Sequence, residues 1–188
     1  MTFETGEPQT LPELGQALNR VVAEGVSFLA PMSDTVFFAP QGPAWSPAEH
    51  VRHLRKSSAP LVTALKLPQL VVRLRFGGRS GPSRTFAQLR ELYLGKLAAG
   101  GGAGRFAPSQ EPFPANPVDR RNEIINGWTA VTVELVNAMN RWSETALDRH
   151  QLPHPLLGPL SVREMLAFTV YHSAHHFRRI DERSRAGV

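Results

Sequence analysis

Three of the seven histidines in this chain fall within five residues of one another. They are His172, His175 and His176, in the segment TVYHSAHHFRRI. If this segment is helical, His172 and His176 lie one turn apart and differ by about 40° around the axis, so that one ion can reach both rings. Neutral imidazole is a common ligand of divalent metals, and the spacing therefore indicates a candidate metal site.

The residues around this pair favour a buried position. Three apolar side chains share the same helical stripe, namely Met165, Phe168 and Ile180. A buried imidazole needs partners for its nitrogens, and a shared metal ion supplies them to both rings. Core histidines satisfied by hydrogen bonds, or an exposed polar stripe, are the alternatives. His175 lies at the edge of the stripe, as a candidate proton shuttle or as a polar residue at the helix margin.

A second pair, His50 and His53, lies in WSPAEHVRHL, residues 45–54. His53 lies at the margin of an apolar helical face and can supply a third imidazole, which would leave one coordination position open. His50 competes for this role, but the first helical turn is also compatible with a solvated side chain. Ser173 follows His172 where the HxxxH zinc proteases require a glutamate, so peptide hydrolysis by that mechanism is disfavoured.

Composition excludes several classes of site. The chain has 188 residues, 41% of them hydrophobic, and no cysteine, which excludes thiolate ligands, cysteine nucleophiles and disulfides. No apolar run reaches the roughly 18 residues of a membrane span, and MTFETGEPQT lacks the apolar core of a secretory signal, so a cytoplasmic protein is expected. The net charge of +5 comes largely from arginine clusters. No stacking motif, zinc finger or P-loop accompanies them, which favours a solvated basic surface over nucleic-acid binding.

The elements that must position the histidines are helices. A Ser or Thr followed three residues later by Glu or Gln predicts four helix starts, at Thr10, Ser46, Thr85 and Ser161, and Asn116 before a proline predicts a fifth. Apolar periodicity predicts helices over about 11–31, 47–66, 86–98, 118–144 and 162–182. Residues 70–78 have some strand character, 100–117 form a Gly/Pro-rich loop, and 150–161 a proline-rich connection. The prediction is an all-α, four-helix bundle with a short extra helix and long Gly/Pro-rich loops.

Two motifs, and the segment that precedes the last helix, resemble those of the DinB/YfiT-like metal-binding four-helix bundles. WSPAEHVRHL resembles that family's tryptophan–serine helix start, whose metal-binding histidine comes eight residues after the tryptophan, at His53. YHSAHHFRRI resembles the last-helix motif, whose ligands are His172 and His176, and GPLSVRE is similar to the segment before that helix. The resemblance covers about residues 10–182 of a single domain, 1–188, with a variable insertion at about 68–115.

The resemblance implies a bundle with one divalent metal, zinc or nickel, held by His53, His172 and His176 in a cleft at one end. It also implies frequent homodimers and a small-molecule substrate. Characterised relatives include S-transferases and isomerases that use a low-molecular-weight thiol, namely mycothiol, bacillithiol or glutathione. His50→Ala and His150→Ala are expected to leave metal binding nearly intact.

An open metal site of this kind supports two reactions. It can activate water for hydrolysis, or it can bind an external thiol as the thiolate. We therefore expect a metal-dependent thiol transferase or hydrolase, with His175 as the candidate catalytic residue. A non-catalytic bundle that binds metal or ligand, including a stress-response protein, is the alternative.

Overall fold

The computed structural model describes residues 3–40 and 44–185. These residues form eight α-helices, a single 3-10 turn at Gly104–Phe106 and a two-stranded sheet. In chain order the elements are α1 (Leu11–Leu29), α2 (Asp34–Phe38), α3 (Pro47–Lys66), α4 (Gln69–Phe76), α5 (Phe86–Ala98), α6 (Pro117–Met139), α7 (Glu144–Arg149), β1 (Gln151–His154), β2 (Gly158–Ser161) and α8 (Val162–Arg185).

The helix starts follow the predicted capping pattern. At α3 the Ser46 N–H donates to Glu49 Oε2 at 2.8 Å, and the Glu49 N–H donates to Ser46 Oγ at 3.2 Å. The same reciprocal pair opens α1 at Thr10 and α5 at Thr85. It also opens α8, where the Glu164 N–H donates to Ser161 Oγ at 3.0 Å. Asn116 makes no side-chain capping bond, so the start of α6 depends on the proline that follows it.

Four long helices, α1, α3, α6 and α8, form the bundle, as predicted. α3 packs along α6, α1 packs against α6 and α8, and α5 covers part of α8. One apolar cluster includes Leu18, Leu65 and Leu135, and a second is built around Trp128 and Phe177. No helix in the described part of the chain has both the length and the apolarity needed to cross a membrane.

The strand character expected for residues 70–78 is wrong, because most of this segment is helix α4. The alternation of apolar residues and arginines imitates a strand, but only Val72 is buried, while Leu70 and Leu74 are 66% and 78% exposed. Among the residues that the structure describes, no strand pairs with residues 70–76 to satisfy an extended backbone. The helix ends at Gly77, whose φ of 87° lies in the left-handed region that glycine adopts readily.

Two other segments differ from the prediction. The proline-rich connection contains a hairpin, in which Pro153 pairs with Pro159 at a position where neither needs an N–H. Helix α6 ends at Met139 rather than near residue 144. A separate short helix, α7, begins at Glu144, directly after its N-cap residue Ser143. The break turns Trp142 into the core, where its indole N–H donates to the Leu65 carbonyl at 3.0 Å.

Candidate metal centre

Three histidines from two bundle helices converge on one point. His53 projects from α3, and His172 and His176 project from α8 one turn apart. His172 Nε2 lies 3.1 Å from His53 Nε2 and 3.1 Å from His176 Nε2. One ring nitrogen from each residue lies within 4.8 Å of the other two, and all three side chains are buried. The packing of α3 against α8 thus brings together residues that are 119 positions apart in the chain.

The hydrogen bond of His53 fixes which of its nitrogens carries the proton. His53 Nδ1 lies 2.9 Å from the carbonyl oxygen of Phe106, which can only accept. The proton must therefore be on Nδ1, and Nε2 presents a lone pair to the other two histidines. A bond from the second ring nitrogen to a backbone carbonyl is the usual support of a metal-ligating histidine.

His50 supports His176 in a similar way. The Nδ1 atoms of His50 and His176 lie 2.6 Å apart, and His50 is only 7% exposed, so a solvated His50 is ruled out. If His176 uses Nε2 toward the cluster, its Nδ1–H donates to His50 Nδ1 and the proton of His50 lies on Nε2. His50 Nε2 is buried and has no hydrogen-bond partner within the described residues.

Burial keeps these imidazoles neutral. It holds the pKa of His172 and of His176 well below the ordinary 6.5, and the neighbouring histidines lower both further. Burial also lowers the pKa of His53, and lowers that of His50 to about 3, with His53 and Arg183 adding to the effect. The lone pairs are therefore available at neutral pH, the state that metal binding requires.

The donor set fits a divalent cation of the zinc type. Tetrahedral coordination at about 2.0–2.1 Å places pairs of ligand nitrogens about 3.3 Å apart, close to the 3.1 Å of the two pairs that include His172, and the third pair lies within 4.8 Å. Three neutral nitrogens, with no thiolate and no carboxylate, suit zinc and nickel better than magnesium or calcium.

The cluster opens onto a cavity of about 660 Å³. Trp45 lines this cavity, and its ring stacks on that of His176 with the centroids 6.0 Å apart and an interplanar angle of 5°. His154 and Tyr93 also line the cavity, and the ring of Phe168 stacks at 5.1 Å on that of His172. Most of the wall is aromatic or aliphatic, as is usual for a pocket that binds a small molecule.

Comparison with known proteins agrees with this architecture. The sequence profile of the DinB superfamily matches residues 17–180, a span that contains all the converging histidines. The chain belongs to the DinB superfamily. Its fold is similar to that of YfiT from Bacillus subtilis, described as a probable metal-dependent hydrolase with an unusual four-helix bundle topology. The two chains are 17% identical, the match covers 97% of this chain and 90% of YfiT, and the TM-score is 0.64. A search of curated proteins gives no significant match.

Sequence reasoning missed some neighbours of the cluster in this DinB superfamily protein. Phe106 comes from the Gly/Pro-rich loop and contributes its backbone carbonyl. Such a contact cannot be predicted from the residue type, because every residue has a backbone carbonyl. His154 lies on β1, in a segment expected to be irregular. The position of Trp45, shortly before the two histidines of α3 in the sequence, was the one indication that it lies near the cluster. His175, the candidate catalytic residue, is half-buried and lines the cavity, with its ring 5.6 Å from that of Tyr93.

Proposed function

We propose that this protein is a metal-dependent enzyme that acts on a small molecule. A divalent metal, zinc or nickel, would be held by His53, His172 and His176. The observation that carries the proposal is the His53–Phe106 bond, which aims a lone pair at two other buried imidazoles beside an open cavity. When bound, the metal supplies Lewis-acid chemistry that activates either water or a low-molecular-weight thiol.

In this proposal, different residues bind the metal, hold its ligands in place, contact the substrate and transfer protons. His53, His172 and His176 bind the cation, while Phe106 and His50 hold two of those rings in the tautomer that exposes Nε2. The largely apolar cavity wall would contact and orient the substrate. His175 is the candidate proton shuttle, because it is half-buried and lines the cavity beside the cluster, and burial lowers its pKa to about 4, which keeps the ring neutral at pH 7.

The open coordination position favours a catalytic site over the alternative of a non-catalytic bundle that binds metal or ligand. Structural zinc sites are closed by four protein ligands, whereas catalytic sites keep a position for water or substrate. Within the described residues the cluster offers three ligands, and a cavity of about 660 Å³ adjoins them. This volume suits a small molecule.

The first test is metal binding. Protein treated with a chelator should bind one equivalent of zinc or nickel by calorimetry. At a free metal concentration 100 times Kd, binding should stabilise the fold by about 2.7 kcal/mol and raise Tm by roughly 5–11 °C. His172→Ala with His176→Ala should abolish both effects. His150→Ala is the matched control, since His150 is buried but bonds to the Ala146 carbonyl outside the cluster. Equal metal affinity in the double variant and the wild type would refute the site.

The second test is turnover. Zinc- and nickel-loaded protein is assayed with p-nitrophenyl esters for hydrolysis, and with glutathione and 1-chloro-2,4-dinitrobenzene for thiol transfer. Activity should require the metal and be lost in His53→Ala. His175→Gln should retain the metal but lower kcat. The fall in kcat on the acid side of the pH profile, where His175 would become protonated, should disappear. Tight metal binding without turnover across a broad screen would favour the non-catalytic alternative.

A further inference from the structure

Charge in the cavity is of one sign. Of the described residues that line it, four are arginines, Arg75, Arg105, Arg179 and Arg183, and none is Asp or Glu. A cleft with charges of one sign and low-dielectric walls concentrates the electric field and attracts ligands of the opposite charge. The bound cation of the proposed function would add to this field.

Two of the arginines are the strongest candidates to meet a ligand. Arg179 already pairs with the exposed Glu182 at 3.3 Å, and Arg183 also interacts with other groups of the protein. Arg75 and Arg105 have no carboxylate partner among the described residues. An unpaired guanidinium at a cavity wall presents several N–H donors in a planar fork that matches a carboxylate.

Both guanidinium groups stand beside an aromatic part of the wall. Arg75 Cζ lies 5.5 Å from the ring centroid of Phe76, and Arg105 Cζ lies 5.1 Å from that of Phe106. Both phenylalanines line the cavity. Such cation–π contacts hold the cation near the ring, so an apolar group and an anionic group of one ligand can be bound side by side. The carbonyl of Phe106 also accepts a hydrogen bond from His53, so Arg105 directly precedes a residue that contacts the candidate metal centre.

We propose that the cavity selects a small amphipathic anion. Such a ligand has an aromatic or aliphatic body against the apolar wall and a carboxylate or similar group paired with Arg75 or Arg105. The inference rests on the proposed function in treating this cavity as the substrate site. Its charge preference comes from the chain alone and does not require the metal.

The test uses two fluorescent probes with closely related bodies and different charges, on protein treated with a chelator. 8-Anilinonaphthalene-1-sulfonate is the anion, and N-phenyl-1-naphthylamine lacks the sulfonate. The anion should bind at least about tenfold more tightly, and raising the salt concentration should weaken only its binding. Arg75→Gln and Arg105→Gln should each weaken anion binding about three- to tenfold and leave the neutral probe within about twofold.

Arg73→Gln is the matched control for charge and location. Arg73 lies two residues before Arg75 on α4 but lines a separate cavity of about 1150 Å³. Its replacement should leave both probes unchanged. Equal affinity for the two probes in the wild type would overturn the proposal, as would equal effects of Arg73→Gln and Arg75→Gln. If the wild type binds zinc but does not prefer the anionic probe, only the anion preference is rejected. If the wild type prefers the anionic probe but does not bind zinc, only the proposed metal enzyme is rejected.

Discussion

Gly25 tests how tightly the bundle packs behind the histidine helix. It is buried in α1, and a Cβ added there would lie 2.6 and 2.8 Å from ring atoms of Phe177 and 2.8 Å from Trp128. Ordinary contacts begin near 3.4 Å, so two fully buried rings would have to move by several tenths of an ångström. Overpacking of this kind costs about 1–3 kcal/mol, against a gain of about 1 kcal/mol from alanine in a helix.

Gly95 is the matched control, because it lies in α5 and a Cβ there meets nothing within 4 Å. Gly95→Ala should stabilise the protein by about 0.5–1 kcal/mol. The gain in helix propensity is common to both variants, so their difference in unfolding free energy isolates the packing cost. Gly25→Ala should be less stable than Gly95→Ala by about 1–3 kcal/mol, or roughly 2–12 °C in Tm. Chemical denaturation monitored by circular dichroism measures this. A Gly25→Ala protein as stable as Gly95→Ala would refute the packing argument.

Three other predictions concern two histidines and a buried carboxylate. His50→Ala should weaken zinc binding about 10- to 100-fold in calorimetry, instead of leaving it nearly intact as expected from the sequence, because His176 loses the acceptor for its Nδ1 proton. Metal-free protein should lose stability as pH falls below 6.5, because burial lowers the pKa of His175 to about 4 and the unfolded chain binds more protons. His175→Gln should flatten this fall by up to about 1 kcal/mol per pH unit near pH 5, less any screening by solvent. Glu164→Ala should cost about 3 kcal/mol in urea denaturation, since its buried carboxylate accepts bonds from two arginines, whereas Glu123→Ala, at an exposed ion pair, should cost much less.

Each of these predictions has a contradicting result. Unchanged zinc affinity in His50→Ala would show that the contact with His176 has no supporting role, and His50→Gln should recover part of the affinity by keeping an acceptor. A pH dependence of stability identical in wild type and His175→Gln would show that His175 titrates normally in the folded protein. Equal costs for Glu164→Ala and Glu123→Ala would show that burial of the carboxylate adds nothing.

The sequence by itself determined the elements that local rules specify. The capping pairs predicted the starts of four helices, because each pair satisfies N–H groups within its own first turn. The i,i+4 spacing predicted that His172 and His176 share a face, because helical geometry alone sets that relation. Periodicity over long segments likewise identified the four bundle helices. The strand-like alternation of residues 70–78 misled because its meaning depends on a pairing partner elsewhere in the chain.

Tertiary structure decided what lies around the histidines. Whether His53 or His50 faces the pair on α8 depends on the rotation of α3 in the bundle, and the fold gave each a place: His53 in the cluster and His50 behind His176. The Phe106 carbonyl could not be read from residue types, because every residue offers the same backbone acceptor. The charge of the cavity also emerged only on folding, since Arg75 and Arg105 lie 30 positions apart on separate elements and meet the same space only when the chain is packed.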